Sequence, residues 1–142
     1  MIDKTTVQDA LLYPFQDISD HRGDLYVIEG GRHVPFDVKR LFWITRLPQD
    51  IVRGGHAHRA CQQFIVAVKG SLDVELHDGE TVRTVHLDKP SEGLLIPPGI
   101  WATEKNYSED VLYLVLASDH YDEADYFRCY EDFIRYKHDS LS

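Results

Sequence analysis

The sequence has 142 residues, 43% of them hydrophobic and 27% charged, and a formal net charge of -9. This balance is that of a globular chain, and the length suits one domain over residues 1–142. The acidic excess argues against a nucleic-acid partner, which needs a basic face. No stretch approaches the roughly 20 apolar residues of a membrane-spanning helix, so no membrane association is expected.

The N-terminal segment and the cysteines bear on the compartment. Residues 1–10 are polar and lack the apolar region of a signal peptide. Two cysteines are present, Cys61 and Cys129, and one of them falls in an apolar segment. We expect both to be small buried or half-buried thiols rather than a disulfide, which is typical of a reducing cytoplasm.

Short apolar or alternating segments recur every eight to twelve residues or so, separated by turn residues. The predicted strands are Phe15–Asp20, Leu25–Glu29, Val38–Thr45, Arg53–His58, Cys61–Lys69, Ser71–His77, Thr81–Leu87, Gly93–Ile96, Ile100–Tyr107 and Val111–Ala117. Asp78 and Gly79 predict a hairpin turn. This spacing indicates an all-β protein, either a sandwich or a barrel of antiparallel strands.

The C-terminal segment has a different pattern. Tyr121–Arg128 and Tyr130–Lys137 have helical spacing, and Asp119 is a candidate N-cap. We therefore expect short helices within residues 121–137 that pack on the barrel. The aromatic residues expected to be buried there are Tyr121, Tyr126 and Phe127.

The stretch Arg53–His58 carries the candidate chemistry. Side chains of an extended backbone alternate between faces, so His56 and His58 point the same way. Imidazole titrates near neutral pH and can move protons. By the same alternation Gln62 is in phase with the pair, whereas Gln63 would need a bulge. The plainer alternative is that the two histidines only form hydrogen bonds and pack inside the barrel.

A pair of histidines also raises the question of a metal, which needs at least one further protein ligand. The pattern resembles the two cupin motifs, in which a Glu follows the first pair and a His lies in the second motif. Here the first position is Gln63 and the second is Ala102. Glu104 or His77 could substitute, but no spacing favours either of them. We therefore expect no bound metal.

Four segments make the chain similar to a narrower family, the nucleotide-sugar 3,4-ketoisomerases, which are small cupins acting on dTDP-4-keto-6-deoxyglucose. The segments are His21–Leu25, Pro35–Arg40, Arg53–His58 and Val115–Tyr126, and the resemblance covers about residues 15–137. It implies a cupin jelly-roll β-barrel, a homodimer, no metal or cofactor, and tautomerisation of a dTDP-linked keto-deoxysugar through an enediol. It also implies a place in deoxysugar biosynthesis for lipopolysaccharide or S-layer glycans.

The resemblance also implies roles for individual residues. His56 matches the catalytic base and His58 the second histidine, while Arg22 and Arg53 match arginines expected at the substrate. The predicted substrate-binding residues are Arg22, Tyr26, Arg40, Arg53, Gln62, Trp101 and Glu104. For Trp101, a pocket wall and ordinary core packing are equally open.

The chain departs from the family pattern at Phe42 and Ala102, where relatives commonly have Tyr and His. One histidine can still serve both proton transfers, or a water, Tyr26 or Glu104 can assist. Two other functions stay open. One is a 3,5-epimerase on the same substrate class, although its histidine–aspartate pair and tyrosine acid are not found in this sequence. The other is a non-catalytic nucleotide-sugar-binding cupin.

Overall fold

The computed structural model describes residues 4–141, with side chains for residues 4–139. The strands are β1 (Leu11–Pro14), β2 (Gln16–Asp20), β3 (Gly23–Val27), β4 (Arg40–Thr45), β5 (Arg53–His58), β6 (Gln63–Lys69), β7 (Leu72–His77), β8 (Val82–Leu87), β9 (Glu92–Ile96), β10 (Trp101–Lys105), β11 (Leu112–Ala117) and β12 (Tyr126–Phe127). Helix α1 spans Tyr130–Leu141, and 3-10 helices span Val7–Asp9 and Glu123–Asp125.

Two five-stranded sheets form the barrel, in the orders β1-β9-β6-β11-β4 and β12-β5-β10-β7-β8. Neighbouring strands are antiparallel throughout both sheets. The main core lies between the sheets, where alternate apolar side chains such as Leu76, Ile65 and Tyr113 are buried. The hairpin predicted at Asp78 and Gly79 joins β7 to β8. The predicted all-β jelly roll is confirmed.

Helix α1 covers the outer face of the second sheet. Phe133 packs there with Trp101 and Phe127 in a separate apolar cluster. Lys137 is buried, and its Nζ donates hydrogen bonds to the carbonyl oxygens of Thr5 at 2.7 Å and Gly99 at 3.0 Å. The helix is therefore fixed to the barrel. No helix within residues 4–141 is both long enough and apolar enough to cross a bilayer.

The helix predicted over Tyr121–Arg128 is wrong. Asp122, not Asp119, caps the 3-10 helix Glu123–Asp125, and the chain then extends as β12 beside β5. Without β12, β5 would be a sheet edge with unpaired backbone groups, and this tertiary pairing outweighs the local helical spacing. The burial expected for Phe127 is found, whereas Tyr121 is 59% exposed.

Candidate active site

The histidine pair lies at the end of β5, where the extended backbone directs both side chains to one face. The rings of His56 and His58 are edge to face, with centroids 5.1 Å apart. Tyr126 on β12 pairs with His58 on β5. The centroid of the Tyr126 ring is 4.3 Å from that of His58 and 5.1 Å from that of His56. The three rings form one cluster, in which His58 is buried and His56 is half-buried.

Asp125 holds His58 in one orientation. Its Oδ2 lies 3.0 Å from Nδ1 of His58, and its two carboxylate oxygens also accept the backbone N–H groups of Ala60 and Cys61. A carboxylate only accepts hydrogen bonds, so Nδ1 of His58 carries the hydrogen and Nε2 carries the lone pair. That Nε2 is buried without a hydrogen-bond partner in the described chain. It is thus an acceptor whose hydrogen-bonding capacity no described residue uses.

The electrostatic environment keeps His56 neutral. Burial, together with the nearby His58 and the charge of Arg128, lowers the pKa of His56 to about 4. The Gly54 backbone and the charge of Glu123 oppose this shift. Burial likewise lowers the pKa of His58, against the effect of Asp125. At neutral pH both imidazoles are therefore uncharged and can accept a proton.

Two arginines line the same region. The guanidinium of Arg40 lies 5.4 Å from the ring centroid of Phe42 and 5.7 Å from that of Tyr121, and its buried Nε has no hydrogen-bond partner among residues 4–139. Arg128 lies 4.2 Å from the ring centroid of Tyr126 and forms an ion pair with Glu123. Both cations lower the pKa of His58. A positive surrounding of this kind suits an anionic ligand.

Glu104 is directed into the barrel from β10 and is buried. Burial raises the pKa of its carboxyl to about 7, against the opposing effect of the Arg53 charge. Arg53 lies opposite Glu104 in the β5–β10 ladder, is itself exposed, and donates its backbone N–H to the Tyr107 hydroxyl at 3.2 Å. Glu104 and Arg53 thus lie next to each other at the start of β5, whereas the histidine pair lies toward its end.

One predicted pocket residue, Trp101, lies elsewhere, and the alternation argument for a second, Gln62, does not hold. Trp101 packs between β10 and α1, with its ring 5.3 Å from that of Tyr130, so core packing describes it and a pocket wall does not. The alternation that placed Gln62 in phase with the histidines is also wrong, because the chain leaves the strand after His58. It is Gln63 that shares a face with the core residue Ile65. A role for Gln62 in substrate binding stays a prediction.

Among the described strands, β2 and β3 form a hairpin that pairs with no other strand, and this hairpin carries two of the predicted residues, Arg22 and Tyr26. The side chain of Arg22 is 79% exposed and forms an ion pair with Asp20 at 2.6 Å. Tyr26 lines an apolar cavity of about 250 Å³ together with Leu25 and Val68. Neither histidine lines this cavity. Within one chain, Arg22 and Tyr26 are not part of the histidine cluster.

One group among residues 4–139 has potential metal ligands close together, namely His58, Cys61 and Asp125, with ligand atoms within 4.8 Å of one another. Both carboxylate oxygens of Asp125 already accept hydrogen bonds, and the Cys61 Sγ lies 3.4 Å from the Gln62 carbonyl oxygen. These potential ligand atoms already form hydrogen bonds within the protein. The group fits a hydrogen-bonded clamp better than an ion site.

Sequence reasoning missed Asp125, Tyr126 and Arg128 as site residues. Asp125 lies 67 positions from His58 along the chain. All three lie within the predicted helix Tyr121–Arg128, and a helix there does not pair with β5 beside the histidines. One available signal was the missing partner for a buried histidine, since such a group needs an acceptor.

Three comparisons bear on this site. The family model described as FdtA, WxcM-like, C-terminal matches residues 8–138. A TDP-4-oxo-6-deoxy-alpha-D-glucose-3,4-oxoisomerase from Aneurinibacillus thermoaerophilus is 40% identical over 122 residues, which are 86% of this chain and 88% of that protein.

Solved structures agree with these matches. The 3,4-ketoisomerase QdtA from Thermoanaerobacterium thermosaccharolyticum in complex with TDP is 36% identical, with a TM-score of 0.92 over 96% of this chain and 99% of that one. A histidine-to-asparagine mutant of QdtA in complex with TDP-4-keto-6-deoxyglucose is 37% identical, with a TM-score of 0.89 over 91% and 94% of the two chains. The 3'-monoepimerase ChmJ from Streptomyces bikiniensis, at 18% identity and a TM-score of 0.70 over 82% and 67%, shares the fold alone.

Proposed function

Because this chain belongs to the FdtA, WxcM-like family, we propose that it is a sugar 3,4-ketoisomerase. It interconverts TDP-4-keto-6-deoxyglucose and a TDP-3-keto-6-deoxyhexose, in line with the activity named for its relatives. The observation that carries the proposal is the neutral histidine pair on β5 inside a barrel of this family. Within the pair, Asp125 holds His58 by a hydrogen bond. The matches to sugar epimerases are distant and show the fold alone, so they do not favour the 3,5-epimerase alternative.

His56 is proposed as the base that moves hydrogen between the two sugar carbons. Its low pKa leaves the imidazole neutral at the pH of the reaction, so it can remove the hydrogen from C3. An enediol then forms across C3 and C4, and the imidazolium returns the hydrogen to C4. Because one group performs both transfers, removal and delivery occur on the same face of the sugar.

His58 is proposed to hold the sugar rather than to remove the carbon-bound hydrogen. Asp125 fixes its Nδ1–H, which leaves the buried Nε2 as an acceptor for a sugar hydroxyl. Arg40, Arg128 and Arg53 are the cations available to the diphosphate and sugar oxygens, because a forked guanidinium matches phosphate geometry. These roles are proposals based on position and charge.

The direct test is incubation of the chain with TDP-4-keto-6-deoxyglucose in deuterated water, followed by NMR. We expect a 3-keto product with deuterium at C4, because the His56 imidazolium exchanges its N–H hydrogen with the solvent before it delivers it to the carbon. Deuterium at C5 without a 3-keto product would instead support an epimerase. Binding of TDP without any exchange would support a non-catalytic binding protein.

We also propose a homodimer formed through the β2–β3 hairpin and the edge strand β4. Exposed apolar side chains gather there, with Leu25 at 56%, Leu41 at 50% and Trp43 at 61% exposure, beside the cavity of about 250 Å³. A sheet edge and an apolar patch of this kind are typically covered by a partner. Such a dimer could also bring Arg22 to a substrate.

The dimer is tested by sedimentation at several concentrations. Leu25→Asp should shift the wild-type dimer mass toward that of a monomer. Val82→Asp, which changes a residue 57% exposed on β8, is the matched control and should leave the mass unchanged. A wild-type monomer at every concentration contradicts the proposal.

Both cysteines are free thiols, Cys61 buried as expected and Cys129 exposed, so the expected burial of Cys129 is wrong. Because free thiols fit a reducing compartment and the substrate is a nucleotide sugar, we propose that the enzyme acts in the cytoplasm.

A further inference from the structure

The buried carboxyl of Glu104 lies on the inner face of β10. Ala102 and Glu104 are two residues apart and both buried, with half-buried Thr103 between them, and Ala102 belongs to the barrel core. In the ladder with β5, Ala102 lies opposite His56 and Glu104 opposite Arg53, with an irregularity after Ala102. Glu104 therefore enters the barrel next to the position that faces His56.

Gly54 allows the carboxyl to approach β5. Gly54 has φ +77°, and a Cβ on it would overlap Oε2 of Glu104 and lie 2.8 Å from the Ala102 carbonyl oxygen. The same Gly54 backbone interacts with the ring of His56 and influences its pKa. The carboxyl of Glu104 and the imidazole of His56 thus both lie against Gly54, which has no side chain to keep them apart.

The carboxyl has few compensating partners. No described residue is found to donate a hydrogen bond to the carboxyl. The charge of Arg53 on β5 opposes the effect of burial on its pKa. The other titratable groups facing it are Tyr107, after β10, and Tyr113 on β11, whose pKa values are raised by burial and by the charge of Glu104. Burial with so little compensation favours the protonated form of the carboxyl below its pKa of about 7.

A 3,4-ketoisomerase must move two kinds of hydrogen, one bound to carbon and one bound to oxygen. We propose that Glu104 is a second catalytic residue, which exchanges protons with the oxygens at C3 and C4 while His56 moves the carbon-bound hydrogen. This inference rests on the proposed function. It assigns to Glu104 the acid role that the histidine pair leaves unfilled.

The steps balance without any co-reactant. In the first, His56 takes the hydrogen from C3 while the Glu104 carboxyl protonates the C4 oxygen, which gives the enediol, an imidazolium and a carboxylate. In the second, the carboxylate takes the proton from the C3 oxygen, C3 becomes the ketone, and the imidazolium protonates C4. Both residues return to their starting states.

The resting protonation states match these roles. His56 has a pKa of about 4 and Glu104 of about 7, so between these values the base is neutral and the acid is protonated. Two titratable groups whose pKa values are driven apart in this way are a recurring arrangement in acid–base catalysis. The activity should therefore fall both below about 4 and above about 7.

The test compares kcat/KM against pH for the wild type, Glu104→Gln and Glu104→Asp, with TDP binding measured in parallel. Glutamine has the shape of the protonated acid but has no proton to transfer, so we expect kcat to fall by about 10²–10⁴-fold with TDP affinity retained. The alkaline limb should disappear in Glu104→Gln and persist in Glu104→Asp. Glu109→Gln, at an exposed loop position, is the control.

The outcomes separate this inference from the proposed function. A wild-type enzyme that forms no 3-keto product overturns the ketoisomerase assignment and this role together. A wild-type ketoisomerase whose Glu104→Gln variant keeps a near-normal kcat and the alkaline limb overturns the role of Glu104 alone. A Glu104→Gln variant that loses kcat but keeps the alkaline limb also contradicts it, because the titrating group is then another residue.

Discussion

Replacing Glu104 by glutamine should stabilise the protein in a pH-dependent way. The pKa of this carboxyl rises from an ordinary value of 4.5 to about 7 in the folded chain. The fold thus favours the protonated form, and stability is lost as the pH rises from 4.5 through 7 because the buried carboxyl becomes charged. At about 1.4 kcal/mol per pKa unit, the loss at high pH is about 3 kcal/mol.

The magnitude translates into a measurable difference between variants. From pH 5 to pH 8, the free energy of unfolding of Glu104→Gln should gain about 2 to 3 kcal/mol relative to the wild type. Urea unfolding followed by tryptophan fluorescence, at matched protein concentrations, measures this difference. Titration of the histidines affects both proteins equally and cancels.

The control for this experiment is Glu109→Gln, which changes an exposed carboxyl in the loop before β11. Its difference from the wild type should not vary with pH. A difference between Glu104→Gln and the wild type that is equally flat would refute the reasoning, since the carboxyl would then titrate alike in the folded and unfolded chains.

Three further changes test the site. Asp125→Asn offers an amide donor to Nδ1 of His58 and favours the wrong tautomer, so kcat should fall by about 10²-fold or more while TDP affinity holds; an unchanged kcat contradicts this. Gly54→Ala puts a side chain at φ +77° against Glu104, and thermal unfolding should show a loss of about 1–3 kcal/mol; an unchanged melting temperature contradicts the packing. Dialysis against a chelator should leave kcat unchanged, and a loss restored by added zinc would overturn the expectation of a metal-free reaction.

Much of the barrel is predictable because alternation and turn chemistry are local signals. β7 and β8 follow from alternate apolar residues and from the turn at Asp78, whose carboxylate accepts the backbone N–H groups of Glu80 and Thr81. The histidine pair follows equally from alternation along β5. These features depend on residues close in sequence, which is why the sequence determines them.

The rest depends on contacts that the sequence does not show. The segment Tyr121–Arg128 has helical spacing, yet Tyr126–Phe127 extends as β12 because β5 offers a free edge. The partnership of Asp125 with His58 depends on that pairing, and the outward position of Trp101 depends on helix α1. Arg22 shows the remaining limit, since its ion pair with Asp20 and its exposed position on a hairpin that pairs with no other described strand depend on tertiary structure that local patterns do not show.

The most direct measurement is solvent exchange at the sugar carbons, comparing the wild type with His56→Asn. Both proteins are incubated with TDP-4-keto-6-deoxyglucose in deuterated water and followed by NMR, with TDP binding as the check on folding. If the imidazole at position 56 carries hydrogen between C3 and C4, the variant binds TDP normally but gains no deuterium at either carbon and forms no 3-keto product. Deuterium uptake and product formation near the wild-type rate would show that another group is the base.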